Sequence, residues 1–174
     1  MLLVAGLMHY CGMYPTTSSD DLLHLMPWPS QVVVSYDSTN KRQSCGATVL
    51  HMMGAESPQV SAFAEQALAS TSLGRIEITV SNHCTSPAPQ LSMNESYELS
   101  VAEDDISLTA HSRWGALRGV ATLAQLACGE QLFTGLQIKD SPRFAWRGLL
   151  LDVARHFFPI TSLKSAIDGL AAVK

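Results

Sequence analysis

Near its end the chain runs through Gly148-Leu149-Leu150-Leu151-Asp152-Val153, a nearly continuous apolar stretch. A strand with one wet face would alternate, so such a run reads as a parallel strand covered on both sides. After Pro159, Thr161 or Ser162 can cap a helix with Leu163, Ala166, Ile167, Leu170 and Ala171 at its apolar positions. The sequence stops at Lys174, inside or at the end of that helix. A lone strand–helix unit cannot bury its own faces, so the rest of its domain is expected beyond Lys174.

Upstream the texture differs. Met26-Pro27-Trp28-Pro29 is a stiff entry to a β-branched run at Val32-Val33-Val34, a first strand. Ser57-Pro58 opens a helix with Val60, Phe63, Ala64, Ala67 and Leu68 at helical spacing. Arg75–Val80, Tyr97–Val101 and Ile106–Ala110 alternate polar and apolar residues, and Glu103-Asp104-Asp105 turns the last two into a hairpin. After Ser112 a helix runs to about Ala127, burying Leu117, Val120, Ala121 and Ala124, with Gly129 as its stop. Asp140-Ser141-Pro142-Arg143-Phe144 is a turn-rich joint. The reading is therefore an α+β unit over 26–139, a mostly antiparallel sheet with two helices on one face, after an apolar leader over 1–25.

Composition narrows the function. Apolar residues make up 47% of 174, enough for a core. The formal net charge of −4 and the lack of a basic run leave nothing to grip a phosphate backbone, so nucleic-acid binding is not expected. No apolar run of about 18 residues exists to span a membrane. Met1–Met8 has the apolar core of a secretory signal but neither a basic start nor a small-residue cleavage site, and reads equally as a frayed apolar terminus or a mis-assigned start codon. Cys11, Cys45, Cys84 and Cys128 lack zinc-site spacing, so no metal is expected. Asn94-Glu95-Ser96 is a glycosylation sequon. Asp20-Asp21 and Asp104-Asp105 read as turn residues, and Arg113 and Arg118 as an exposed helix face around one buried aromatic, Trp114.

One pattern is more specific. Asp140-x-Pro142-Arg143-Phe144-x-x-Arg147-Gly148-x-x-x-Asp152-x-x-Arg155-His156-x-x-Pro159 resembles the opening of the catalytic barrel in β-N-acetylhexosaminidases, glycoside hydrolase family 20. Ser112–Gly119 with Thr122-Leu123-x-Gln125-Leu126 resembles the last helix of their accessory domain, and Met26-Pro27-Trp28-Pro29 with Gln31 the entry to it. The likeness covers about 26–174, strong from Tyr97 onward and weak over 46–73.

The resemblance implies a zincin-like accessory domain without metal over 26–139, then the first βα unit of a (β/α)8 barrel over 140–174. It implies retaining, substrate-assisted removal of terminal N-acetylglucosamine or N-acetylgalactosamine from glycans, with no cofactor. The general-acid Glu and the Asp that orients the acetamido group belong beyond Lys174, since such barrels take about 250 residues. No catalytic residue is therefore assigned in this chain, which is expected to be inactive alone. Arg155 is implied as a ligand of the terminal sugar's hydroxyls, and its planar fork of donors suits two vicinal hydroxyls. Asp152 would position it. Read from the residues alone, Arg155 could instead pair with Asp152 and close a turn, and His156 beside Phe157 and Phe158 reads as packing.

The resemblance also implies a Cys45–Cys84 disulfide and a secretory, lysosomal or extracellular setting, which the Asn94 sequon and the apolar leader fit; Cys128, at the end of an apolar helical pattern, reads as a buried thiol. It leaves room for a homodimer in the full-length enzyme. The rival reading is a non-catalytic binding or interaction domain derived from the same family. A lectin-like binder is the weaker form of that rival, because one arginine does not make a pocket.

Overall fold

In the computed structural model the chain is described at residues 25, 27–34, 41–42, 49–54, 57–69, 71, 73–81, 88–103, 105–127 and 132–173. The strands are β1 (Gln31–Val34), β2 (Lys41–Arg42), β3 (Val49–Gly54), β4 (Arg75–Val80), β5 (Tyr97–Val101), β6 (Asp105–Ala110), β7 (Leu132–Phe133) and β8 (Leu136–Asp140). The helices are α1 (Pro58–Ala67), α2 (Arg113–Leu126) and α3 (Ile160–Ala172). Six strands form one sheet in the order β1-β8-β5-β6-β4-β3, and β2 pairs with β7 separately.

The expected strands at 32–34, 75–80, 97–101 and 106–110 are present, as is the hairpin, with Tyr97 opposite Ala110 and Val101 opposite Ile106. The sheet is more mixed than expected. β1, β8, β5 and β6 are antiparallel neighbours, whereas β6, β4 and β3 run parallel. The parallel half arises because β3, α1 and β4 form a crossover, which a parallel pair requires.

One face of the sheet is dry. Ile76, Ile78 and Val80 of β4, Leu99 of β5, Ile106 and Leu108 of β6, and Leu136 and Ile138 of β8 are buried there. Val60, Ala64 and Leu68 from the α1 side and Ala116, Val120 and Leu123 of α2 belong to the same core. Burying each large aliphatic side chain contributes roughly 1.5–3 kcal/mol. The alternate residues Glu98, Ser107, Thr109, Gln137 and Lys139 face water, which accounts for the clean alternation.

Ser57 is the N-cap residue of α1 and Pro58 stands in its first turn, although the Ser57 side chain makes no capping bond. Ser112 caps α2, its side chain accepting from Gly115 N at 3.3 Å. The Ser112 hydroxyl also donates to the Asn94 carbonyl at 2.6 Å, tying the helix start to the segment before β5. Gly115 permits that approach. A Cβ there would stand 2.6 Å from the Ser96 carbonyl oxygen.

The last third of the segment reading needs correction. Gly148–Val153 is not in a strand; Leu150 is 94% exposed, and Leu149 and Val153 are exposed too. A parallel strand exists only through neighbours on its edges, and none of the described strands pairs with this run. The helix after Pro159 is present, but its N-cap is Pro159, not Thr161 or Ser162. The Pro159 carbonyl takes the first bonds, from Ser162 N at 3.0 Å and Leu163 N at 3.2 Å, so both hydroxyl residues lie inside the first turn.

Candidate functional site

Asp152 and Arg155 come together as the sequence suggests. An Asp152 carboxylate oxygen accepts from the backbone N–H groups of Ala154 and Arg155, each at 3.0 Å. Its other oxygen lies 3.5 Å from the Arg155 guanidinium. Asp152 thus closes a turn and holds the base of Arg155 at once. The Arg155 side chain is 85% exposed, so its remaining donors are presented to solvent. His156, Phe157 and Phe158 are exposed rather than packed together, a correction that follows from the missing strand.

A second constellation was not legible in the sequence. Where β8 ends, a cleft of about 590 Å³ is lined by Trp28, Glu95, Tyr97, Arg118, Asp140 and Arg147, among others. Glu95 is only 6% exposed. Its carboxylate accepts from one Arg147 nitrogen, Nη2, at 2.7 and 2.8 Å, and from Arg118 Nε at 3.3 Å. Arg147 Nη1 donates to the Phe144 carbonyl at 2.6 Å, closing the 144–147 loop. A buried carboxylate is stable only when its oxygens are satisfied, and here two guanidinium groups do so.

Beside it, the Tyr97 hydroxyl shares a 2.6 Å hydrogen bond with Thr122 Oγ1 and donates to Asp140 Oδ2 at 3.2 Å. Burial, and then the neighbouring Asp140 charge, push the Tyr97 phenol well above its ordinary value. Asp140 Oδ1 accepts from Ser30 N at 3.0 Å and Ser141 N at 2.9 Å. The joint between sheet and C-terminal segment is therefore held by two polar clusters, not by a loose turn.

Arg118 departs from the exposed helix face expected around Trp114, because it turns toward Glu95. Arg113 does lie at the surface, donating to Gln59 Oε1 at 3.1 Å. Asn94 is exposed, with its side-chain oxygen accepting from Ser96 N at 2.9 Å. Asp105 is exposed at the start of β6. Cys11, Cys45, Cys84, Cys128, Asp20, Asp21 and Asp104 lie outside the described residues. Among the described residues, no three His, Cys, Asp or Glu side chains converge as metal ligands, and no helix is long and apolar enough to cross a membrane.

Two family models match the chain in order. One, described as beta-acetyl hexosaminidase like, covers residues 38–126, and the glycosyl hydrolase family 20 catalytic domain covers residues 144–174. Among curated proteins, the chain is 41% identical over 100 residues to a mouse beta-hexosaminidase subunit beta, matching 55% of this chain and 18% of that protein. It is 44% identical over 85 residues to a beta-N-acetylhexosaminidase of Cellulomonas fimi, matching 47% of this chain and 17% of that protein. The chain thus spans less than a fifth of either relative. Among solved structures, a chitobiase of Flavobacterium johnsoniae superposes with a TM-score of 0.67 at 29% identity, covering 90% of this chain and 26% of that one. A Vibrio harveyi exo beta-N-acetylglucosaminidase in complex with N-acetylglucosamine gives a TM-score of 0.60 at 26% identity, covering 91% and 25%.

Proposed function

The chain belongs to the glycoside hydrolase family 20 β-hexosaminidases, and from that membership we propose that it forms the opening part of a retaining β-N-acetylhexosaminidase. Residues 26–139 are the accessory domain and 140–174 the first strand and helix of the catalytic barrel. The observation that carries this reading is the order of the two family matches, over 38–126 and 144–174, with the Glu95–Arg147 contact linking the first to the second.

The substrate class is glycans ending in N-acetylglucosamine or N-acetylgalactosamine. In the substrate-assisted scheme of the family, the sugar's own acetamido oxygen attacks the anomeric carbon, a Glu protonates the leaving oxygen, and an adjacent Asp orients the acetamido group. Neither carboxylate belongs to this chain. Its contribution is Arg155, whose exposed donors bind hydroxyls of the terminal sugar. Asp152 holds that arginine at its backbone and at its guanidinium. In a barrel, residues just past a strand's C-terminal end build the active site, and Arg155 lies just past the Gly148–Val153 run, which can take up strand structure only with neighbours on its edges.

A secretory route to a lysosomal or extracellular compartment fits the sequon at Asn94, which is exposed, and the implied Cys45–Cys84 bridge. The test is hydrolysis of a chromogenic N-acetyl-β-glucosaminide. The 174-residue chain alone gives no turnover, and the protein in which the chain continues through the barrel does. Turnover by the isolated chain that Arg155→Ala abolishes would refute the assignment of the catalytic carboxylates elsewhere.

A further inference from the structure

We propose that Asn94 carries an N-linked glycan and that this glycan is attached before the accessory domain folds. The proposal rests on the secretory route read above. Asn94-Glu95-Ser96 has the residue types a glycan transferase needs, an amide nitrogen to take the sugar and a hydroxyl two residues on. The folded chain has room for the product. Asn94 is exposed, and so are residues 88–92 before it. The Asn94 side-chain oxygen accepts from Ser96 N at 2.9 Å, whereas its nitrogen donates to none of the described residues. An oligosaccharide on that nitrogen breaks none of the bonds around it.

The acceptor tripeptide itself is out of reach once folding is complete. The Asn94 carbonyl accepts from the Ser112 hydroxyl at 2.6 Å, and the Ser96 carbonyl from His111 N at 3.3 Å. The start of α2 lies so near that a Cβ on Gly115 would stand 2.6 Å from the Ser96 carbonyl oxygen. Glu95, the middle residue, is buried and held by Arg118 and Arg147. A transferase that takes hold of all three residues must pull this carboxylate away from two guanidinium groups. Transfer therefore precedes the burial of Glu95. In that step the Asn94 amide nitrogen bonds to the anomeric carbon of an oligosaccharide carried on a lipid diphosphate. The carbon–oxygen bond to the diphosphate breaks, the diphosphate leaves with the electron pair, and the nitrogen gives up one proton to a base of the transferase.

The experiment uses the protein that continues through its barrel, expressed in cultured animal cells and recovered from medium and lysosomes. An amidase that removes N-linked glycans converts a modified asparagine to aspartate, so peptide mass mapping reads residue 94 directly. Residue 94 is expected to become aspartate in wild type on amidase treatment, and not before it. Ser96→Ala, which keeps Asn94 but removes the hydroxyl, should leave an unmodified asparagine. Unmodified Asn94 in the wild-type protein would overturn the glycan, while the same preparation's hydrolysis of a chromogenic N-acetyl-β-glucosaminide reads the enzymatic assignment separately. Protein found only in the cytosol would overturn the secretory reading beneath the proposal. The order of events is tested with folded protein made in bacteria and a synthetic peptide of residues 88–100, each offered to detergent-solubilised microsomal membranes with the lipid-linked donor. The peptide should be modified at least about tenfold faster, since only a rare opened state of the protein can enter the transferase. Equal rates would overturn the claim that transfer precedes folding.

Discussion

Arg147 and Glu95, 52 positions apart in sequence, meet through a single guanidinium nitrogen that lies 2.7 and 2.8 Å from the two carboxylate oxygens. Arg118 completes the cluster from α2. Three segments of chain therefore converge on one carboxylate at the exit from the sheet.

Removing that charge leaves two guanidinium groups facing a neutral amide. Their side chains are 30% and 31% exposed, so water recovers part of the loss. Glu95→Gln is expected to destabilise the fold by about 2–3 kcal/mol. Arg118→Gln, which leaves the shorter Arg147 contacts in place, should cost about 1 kcal/mol. Urea denaturation of the three proteins measures both, and equal losses would show that Arg118, not Arg147, carries the contribution of Glu95.

Tyr97 gives the fold an alkaline limit. Its folded-state value is raised above the ordinary 10.0, so the protonated phenol is favoured by folding. That contribution is fully present below pH 10 and is lost as pH rises above it toward the raised value, by about 1.4 kcal/mol per pH unit. Tyr97→Phe forfeits the bonds to Thr122 and Asp140 but has nothing to titrate. Wild type should be the more stable at pH 9, and the gap should narrow steadily by pH 11. A constant gap across that range would contradict the account.

The parts of the fold with one wet face were readable, because burial on one side writes a period into the sequence. β4, β5, β6, α1 and α2 all carry it. β3 does not, since in Leu50-His51-Met52-Met53 the apolar Met53 stands exposed beside His51 while Leu50 and Met52 are half-buried. β8 alternates only over Leu136-Gln137-Ile138-Lys139, a stretch too short to stand out beside the turn at Asp140. Arg155 and Asp152 were legible through a motif. Glu95 was not, because its partners lie 23 and 52 positions away and nothing local distinguishes it from a solvated sequon residue.

Cys45 and Cys84 are expected to form a disulfide in natively secreted material, leaving Cys128 reduced. In the chain-entropy treatment a loop of this span stabilises by about 4 kcal/mol. Non-reducing peptide mapping checks it. Recovery of Cys84 as a free thiol would rule the bridge out.

Amide exchange should divide the chain at Arg147. β5, β6 and α2 carry the core and should be protected, whereas Gly148–Val153 pairs with none of the described strands and Leu150 is 94% exposed. α3, with Ile160, Ile167 and Leu170 exposed, should exchange quickly as well, since about 13 residues are marginal without a packing surface. Strong protection over 148–173 in a confirmed monomer would mean that this segment has found a stable seat on the accessory domain.

The most direct test of the account is the specificity constant of Arg155→Lys in the protein that continues through its barrel, measured against a chromogenic N-acetyl-β-glucosaminide. Lysine keeps the charge but cannot present a two-pronged fork to vicinal hydroxyls. Losing one charge-assisted bond of roughly 1.5–3 kcal/mol predicts a fall in kcat/KM of about 10- to 150-fold. A variant within twofold of wild type would show that Arg155 only closes a turn with Asp152, and that this chain brings no sugar ligand to the active site.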